Sequence, residues 1–164
     1  MSRRFGEYFK VYRQVCGQSF YRDVFRDVRI DVLLIDEQRE LAFGIECKKT
    51  LHKAKEVREV VDQQISYLNS RWSLPRERRV FCLDAVFLAS PGFHSRFDDT
   101  AKAMALKILP SSLGVADFQS EVIELRLCTG TRVWSSRYGY HQQVNDLLRI
   151  HVGSQRMNRT HWDH

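Results

Sequence analysis

Three charged residues stand in or beside apolar segments of the chain where a buried strand would carry none. Asp31 interrupts the apolar run 30–35, and Glu46 and Lys48 stand at the end of the apolar run 41–47. Runs of this length, rich in Val, Ile and Leu and bounded by polar turn residues, are typical of β-strands. Because the connection between them is too short for a crossover helix, the two strands are predicted to be antiparallel. Two carboxylates and an amine brought together in this way could bind a cation and assist a hydrolysis.

The register of this strand pair decides whether the two carboxylates meet. If the loop comprises residues 37–40, Asp36 faces Leu41 and Asp31 lies directly opposite Glu46. A shift by one residue would send Glu46 to the other side of the sheet. In the favoured register the Cβ atoms of the two acids lie roughly 5 Å apart, where like charges destabilise a pair. At an effective dielectric constant of about 20 the repulsion is on the order of 3 kcal/mol, so a cationic group must offset it.

Two arrangements would supply the positive charge. In the first, the two carboxylates form diagonal ion pairs with Arg29 and Lys48 on the same face of the sheet, a common and weak arrangement. In the second, Asp31 and Glu46 hold a divalent cation, and Lys48 is free for chemistry. Mg²⁺ prefers hard oxygen ligands, typically one or two carboxylates together with waters and a substrate phosphate. The residues alone leave both arrangements open.

The spacing resembles that of the PD-(D/E)XK nuclease superfamily. Asp31 is followed, after a spacer that contains the strand connection, by Glu-x-Lys at Glu46 and Lys48. The segment 45–49, Ile-Glu-Cys-Lys-Lys, is similar to the hydrophobic-Glu-hydrophobic-Lys strand of archaeal Holliday-junction resolvases and RecB-type nucleases. Ile30 stands where the name-giving proline would be.

This resemblance implies an α/β fold and a metal-dependent phosphodiesterase. The expected architecture is a mixed central β-sheet flanked by helices, an αβββαβ restriction-endonuclease-like core. Mg²⁺ or Mn²⁺ would be held by Asp31, Glu46 and the backbone carbonyl of Cys47, with Lys48 assisting the attacking water. Glu7 is a further candidate ligand, because a glutamate on the first helix completes the metal site in several relatives. On a helical wheel, however, Glu7 lies away from the apolar stripe, where a solvated residue would lie.

Several further residues are candidates for contact with nucleic acid. Gln63 and Tyr67 form a Gln-x-x-x-Tyr pattern that resembles the helix motif of RecB-type nucleases. Their face of the predicted helix is nearly opposite the apolar stripe, which fits a plain surface position equally well. Arg29, Lys49 and Lys53 would contact the DNA backbone or be merely solvated.

Apolar periodicity and turn residues predict one domain, 1–164, with a core over about 5–116 and a C-terminal hairpin and tail over 117–164. The predicted elements are, in order, a helix over 5–15 ended by Gly17, a strand over 19–29, the strand pair described above, a helix over 50–70, an arginine-rich loop over 71–79, a third core strand over 80–89, a helix over 99–109, a strand over 113–116, a hairpin of 122–127 and 132–135 around Thr129-Gly130, and a short helix after His141.

Composition narrows the class of protein. The 164 residues are 43% hydrophobic and 28% charged, which is typical of a folded domain rather than a disordered chain. The net charge of +6, with basic residues in surplus at both ends, favours a polyanionic partner. DNA is the first expectation, and RNA remains open. A homodimer is a further expectation from the resemblance, because many small relatives use two active sites for two strands.

Other features exclude several kinds of protein. Four widely spaced cysteines without a C-x-x-C pair or a secretory leader favour a reduced, cytoplasmic chain. No apolar run approaches the ~20 residues that span a bilayer, so no membrane partner is expected. The six histidines form no cluster typical of a zinc site.

Two other classes compete with an active nuclease. The first is a catalytically inactive nuclease-fold module that binds nucleic acid through its basic ends. The second is an interaction protein whose aromatic residues form a docking patch; the candidates are Trp72, Trp134, Tyr138 and Tyr140.

Overall fold

A single ten-stranded mixed sheet dominates the protein. The computed structural model describes residues 5–21, 24–49, 54–74, 77–90, 113–118, 121–145 and 148. The strands are β1 (Lys10–Tyr21), β2 (Val24–Asp36), β3 (Leu41–Cys47), β4 (Ser70–Leu74), β5 (Glu77–Phe81), β6 (Ala85–Ala89), β7 (Leu113–Asp117), β8 (Glu124–Leu127), β9 (Arg132–Ser135) and β10 (Gly139–Tyr140), and the helix α1 is Ala54–Leu68. Their order across the sheet is β10-β9-β8-β7-β6-β3-β2-β1-β4-β5.

The expected α/β architecture, a sheet flanked by helices, is wrong. The described part of the chain is mostly strand, with α1 packed on one face of the sheet. Strands β8, β9 and β10 of the predicted C-terminal region continue the same sheet beyond β7. The predicted helix over 99–109 lies outside the described residues.

The predicted opening helix is wrong for most of its length. Tyr8 and Phe9 donate backbone hydrogen bonds to the Phe5 carbonyl, so one helical turn forms. From Lys10 onward the chain is a strand, because its backbone pairs with β2 on one side and with β4 on the other. Gly17 does not end a helix. It lies under the Trp72 ring, where a Cβ atom would come within 2.7 Å of the indole.

Three further predicted segments are also wrong. The expected strand over 19–29 is a hairpin in which β1 ends at Tyr21 and β2 begins at Val24. The expected arginine-rich loop over 71–79 contains strands β4 and β5, and the expected strand over 80–89 is divided between β5 and β6. In β4 the side chains alternate between buried and exposed, which is the pattern of a strand with one face on the core.

Other elements that were predicted from apolar periodicity and turn residues are confirmed. The helix α1 lies inside the predicted range 50–70, and β7 includes the predicted strand 113–116. Strands β8 and β9 form the predicted antiparallel hairpin, and Gly130 in their connection has a φ of 90°, which favours glycine. The predicted final helix is described only in part, and Val144 and Leu148 from it are buried.

The part of the sheet that matters for the site is a meander followed by a crossover. Strands β1, β2 and β3 pair antiparallel in succession, and α1 then leads by way of β4 and β5 to β6, which pairs parallel to β3. We call the core between α1 and the sheet the helix-side core, and the core on the other face the opposite core. The helix α1 has neither the length nor the apolar character of a membrane-crossing segment.

Both tryptophans of the expected docking patch are buried. Trp72 lies in the helix-side core and Trp134 in the opposite core, and each has a relative exposure of 0%. Tyr138 is 63% exposed, whereas Tyr140 is partly buried. An aromatic docking patch built on these four side chains therefore lacks its two largest members.

Candidate functional site

The strand pair that carries the predicted site has the predicted register. Asp36 pairs with Leu41, and the ladder continues to the pair of Val32 and Ile45. The ladder ends at that pair, so Asp31 and Glu46 each lie one residue beyond it. Glu46 still pairs with Leu88 on the other side of β3, and Asp31 lies on β2 between Ile30 and Val32, which both pair with β1.

Asp31 is held by two neutral donors. Its Oδ2 accepts a hydrogen bond of 2.8 Å from the backbone N–H of Cys47, at the end of β3. Its Oδ1 accepts a hydrogen bond of 2.8 Å from Nε2 of Gln14, which lies on β1. The carboxylate thus bridges the two strands that flank β2. Because neither donor carries a charge, these bonds fix its orientation without neutralising it.

Glu46 is buried and is bound by one charged and one neutral group. Its relative exposure is 4%, and Nζ of Lys48 lies 2.6 Å from its Oε1. Its Oε2 lies 3.1 Å from the hydroxyl of Tyr67, which donates to it. A buried carboxylate is costly unless it is paired and hydrogen-bonded, and both conditions are met here.

The expected quartet of ion pairs forms only in part. Lys48 pairs with Glu46, as that arrangement requires. Arg29 is exposed, and within the described part of the chain it makes no ion pair with Asp31 or Glu46. Among the described residues, Glu46 is therefore the acid with a cationic partner, whereas the described contacts of Asp31 are to neutral groups.

The helix α1 contributes Tyr67 to the site. The phenol hydroxyl lies 2.9 Å from the carbonyl oxygen of Arg29 and 3.1 Å from Glu46, so its single hydrogen serves one of the two acceptors at a time. Nε2 of Gln63 donates to the same hydroxyl at 2.5 Å. The surface position that the helical wheel allowed for Tyr67 is wrong, since its exposure is 2%. The Tyr67 ring packs edge-on against Trp72, which widens the buried face of α1.

Cys47 lies between the two acids but is a poor nucleophile. Partial desolvation and the neighbouring charges of Asp31 and Glu46 raise the pKa of its thiol. Because the thiolate is the reactive form, a raised pKa disfavours covalent chemistry at neutral pH. The contributions of Cys47 to the site are its backbone N–H, which binds Asp31, and its adjacent carbonyl.

Glu7 does not join the site. Its side chain is exposed and lines a cleft with Asp36 and Arg39, at the far end of the strand pair. Asp36 and Asp31 are separated along β2 by roughly 17 Å at the rise of an extended strand. Glu7 is therefore placed with the β2–β3 turn and not with the two predicted metal ligands.

Two residues predicted to contact nucleic acid, Lys49 and Gln63, line a surface cleft beside the site. The same cleft is lined by Lys48 and by the acidic residues Glu56 and Glu59 of α1. Lys53 lies outside the described residues. The cleft therefore carries charges of both signs.

The described residues around Asp31 and Glu46 would supply a cation with few protein ligands. Within the described residues no group of three or more His, Cys, Asp or Glu side chains is arranged to hold a metal ion. Two carboxylates suffice for Mg²⁺ when water and substrate complete its coordination. Each carboxylate oxygen of Asp31 and Glu46 has one described partner and can accept a second, so a hard cation can be bound without breaking those bonds.

Gln14 is the site residue that sequence reasoning missed. Its position on β1 is opposite Asp31 in the β1–β2 register, but the segment was predicted to be helical. Had β1 been recognised as the neighbour of β2, pairing the two strands would have placed a long amide side chain beside the acid.

No protein-family model matches the chain, and neither a curated protein nor a solved structure is significantly similar to it. The chemistry of the site is therefore argued from its own residues.

Removing the Tyr67 hydroxyl should lower the stability of the fold. It should also make that stability less dependent on pH under alkaline conditions. Tyr67→Phe deprives Glu46 and the Arg29 carbonyl of a donor, which we expect to cost about 1–3 kcal/mol at pH 8. Burial, and then the charge of Glu46, raise the pKa of Tyr67 above its ordinary 10.0. The folded state thus keeps a proton that the unfolded chain releases, so stability is full below about pH 10 and falls as the pH rises further.

Urea denaturation at a series of pH values tests this expectation. The loss of stability per pH unit above about pH 10 should be smaller in Tyr67→Phe than in the wild type, by up to about 1.4 kcal/mol. Tyr140 contributes to the remaining loss, because burial and the Asp36 charge raise its pKa too. Tyr138→Phe, at an exposed position, is the control and should behave as the wild type. An equal slope in Tyr67→Phe and the wild type would contradict the assignment.

Proposed function

We propose that the protein is a metal-dependent nuclease that hydrolyses phosphodiester bonds, with DNA as its first substrate. The observation that supports the proposal is the hydrogen bond from the Cys47 N–H to Asp31, which brings this acid near Glu46 and its partner Lys48 at the end of the β2–β3 ladder. An acid whose described hydrogen-bond donors are neutral, next to a second acid and an amine, is a suitable arrangement for binding a hard cation and a phosphate.

In this proposal Asp31, Glu46 and the Cys47 carbonyl hold Mg²⁺ or Mn²⁺. When bound, the ion supplies a water of lowered pKa and stabilises negative charge on the phosphate. The backbone N–H of Cys47 and the Gln14 amide keep the Asp31 carboxylate oriented. Tyr67 does the same for Glu46 through its hydroxyl.

Lys48 has a second role in the proposal. Its side chain is 30% exposed, and in the proposal the ammonium group that pairs with Glu46 also reaches the substrate. There it can donate hydrogen bonds to the attacking water and to a phosphate oxygen. An ammonium group in this position offsets the negative charge that develops on the phosphate during the reaction.

The chemistry of the surface supports a nucleic-acid substrate. The net charge of +6 favours a polyanion, and Arg29 and Lys49 are exposed close to the two acids along their own strands. Gln63 lines the cleft beside Lys48. In the proposal Arg29, Lys49 and Gln63 contact the sugar-phosphate backbone. RNA is the second candidate substrate. A homodimer would present two active sites to the two strands of a duplex.

A reducing intracellular compartment is part of the same proposal. All four cysteines of the chain are free of disulfide bonds, and Cys16 and Cys47 are exposed. Exposed thiols without partners are typical of proteins that work where glutathione keeps cysteines reduced.

A catalytically inactive module that binds nucleic acid is the alternative. The observation that favours it is the short contact between Lys48 and Glu46, which offsets one acid without any metal. If that ion pair is permanent, Glu46 offers little to a cation, and the site is structural.

Cleavage and cation binding together separate the two functions. We expect the wild type, with Mn²⁺, to cut at least one of a labelled single strand, duplex, flap, four-way junction and RNA. Lys48→Met should slow that cleavage at least about a hundredfold, because the amine acts in the reaction itself. Lys55→Met, which changes an exposed lysine of α1 that pairs with Glu59, is the matched control and should retain most of the rate.

Calorimetry with Mn²⁺ completes the test. A binding heat that is present in the wild type and lost in Glu46→Gln would support the cation site. Nucleic-acid binding that weakens steeply with salt, without Mn²⁺ binding or cleavage of any substrate, would instead establish the inactive module. An absence of cleavage, of Mn²⁺ binding and of nucleic-acid binding would overturn both.

A further inference from the structure

Gln14 has an unusual backbone for a residue inside a strand. Its φ is 51°, in the left-handed region that residues other than glycine rarely adopt. The strand ladder is regular on both sides of it, where Arg13 pairs with Val32 and Val15 pairs with Ile30. Such a conformation is costly and persists only where the surrounding structure imposes it. The position across the ladder from Gln14 is Asp31.

The irregularity is shared by both strands. In a regular strand, residues three apart point to opposite faces. On β2, however, Ile30 and Leu33 both lie in the helix-side core. On β1, Val15 lies in the same core and Tyr12 packs against it, although they too are three residues apart. Both strands therefore change face at the pair formed by Gln14 and Asp31.

The distortion brings the amide of Gln14 to the acid. Nε2 of Gln14 lies 2.8 Å from Oδ1 of Asp31, and the Gln14 side chain is otherwise exposed to solvent. The core packing of Gln14 does not explain its strain, because an exposed side chain contributes little apolar burial. What the strained backbone of Gln14 does achieve is to bring its amide within hydrogen-bonding distance of Asp31.

We propose that Gln14 is a positioning residue that holds the Asp31 carboxylate ready for a divalent cation while leaving its charge intact. The inference rests on the proposed function of the site as a cation site. A lysine or arginine at position 14 would orient the carboxylate equally well but would compete with the cation electrostatically. A second carboxylate there would repel Asp31 before any cation arrived. A neutral amide donor avoids both effects.

Gln14→Gly is the decisive variant. Glycine accepts the left-handed backbone without strain, so the melting temperature should stay the same or rise. Loss of the amide should nevertheless weaken Mn²⁺ binding about tenfold or more, which is the usual effect of removing a group that orients a metal ligand. A residue retained for stability alone would show the opposite result, a lower melting temperature with unchanged Mn²⁺ affinity.

Gln18→Gly is the matched control. Gln18 is an exposed glutamine on the same strand, where it pairs with Asp27 and Arg71. Glycine at that ordinary strand position should lower the melting temperature and leave Mn²⁺ affinity unchanged. Gln14→Lys is a second variant in case the glycine variant folds poorly, and it should lose Mn²⁺ binding while its far-ultraviolet circular dichroism stays native.

The outcomes distinguish this inference from the proposed function. If the wild type binds Mn²⁺ and both Gln14 variants bind it within twofold of the wild type, the positioning role is overturned and the cation site stands. If the wild type binds no Mn²⁺, the cation site fails and the positioning role falls with it. Mn²⁺ binding that is weakened about tenfold or more in Gln14→Gly, lost in Gln14→Lys and kept in Gln18→Gly supports the inference.

Discussion

Asp31→Asn is expected to reduce Mn²⁺-dependent cleavage at least about a thousandfold while the protein stays folded. The substitution keeps the size of the side chain and an oxygen that can accept the bond from the Cys47 N–H. What it removes is the negative charge, which is the property that a cation needs from this ligand. Asp31→Ala should cause the same loss of cleavage and in addition leave the Gln14 amide without its acceptor.

The loss of cleavage in Asp31→Asn should depend on the position of this residue in the sheet. Asp27 lies on the same strand four residues earlier and is exposed, so Asp27→Asn makes the same chemical change away from Glu46. We expect that control to cleave at close to the wild-type rate. Initial rates on the substrate that the wild type cuts best, with circular dichroism to verify folding, provide the measurement. Cleavage by Asp31→Asn at the wild-type rate would show that Asp31 is not part of a catalytic site.

Trp134→Ala should produce the largest loss of stability. The indole is fully buried, with ring centroids 5.4 Å from Phe5, 5.5 Å from Tyr8 and 5.2 Å from Phe9. Truncating a tryptophan in a packed core typically costs about 3–5 kcal/mol, because both the buried area and the contacts around the resulting cavity are lost. This is a large fraction of the roughly 5–15 kcal/mol by which a domain is stable.

The matched control for this prediction lies on the same part of the sheet. Tyr138 follows β9 and is 63% exposed, although its ring faces the Arg132 guanidinium at 5.0 Å. Tyr138→Ala should change the free energy of unfolding by less than about 1 kcal/mol. Urea denaturation followed by circular dichroism avoids the loss of tryptophan fluorescence. Equal stability of the two variants would mean that Trp134 does not anchor the opposite core.

Trp134→Ala also reports on the N-terminal turn. Phe5 and Phe9 precede β1 and pack on Trp134 from the far end of the chain, so the turn at residues 5–9 depends on this contact. Backbone hydrogen exchange in that turn should accelerate in the variant more than exchange in β2 or β3.

The central strand pair could be predicted from the sequence because its signals are local. Two apolar runs separated by a short polar connection specify a hairpin, and the alternation of its side chains permits a single register with both faces buried. Extending that register by one residue predicts that Asp31 and Glu46 lie close together. The helix α1 and the β8–β9 hairpin were predictable for the same reason, since each is defined by a periodic pattern and the turn residues that flank it.

The first strand illustrates what local patterns cannot decide. Phe5, Tyr8, Phe9, Tyr12 and Val15 recur at a helical spacing, yet the chain from Lys10 onward is a strand. Its backbone donors and acceptors are satisfied by β2 and β4, and β4 is distant in the sequence. Tertiary pairing of this kind overrides a weak local preference, because every buried backbone group must find a partner.

The number of sheet strands and the surroundings of the two acids were likewise decided by tertiary structure. Asp31, Glu46 and Lys48 were identified from their spacing, but Gln14 reaches Asp31 from β1 and Tyr67 reaches Glu46 from α1. A short segment specifies its own turns and alternation, because those depend on neighbouring residues. Which side chains complete a charged site depends on strands and helices packed from elsewhere in the chain, so only the folded protein determines them.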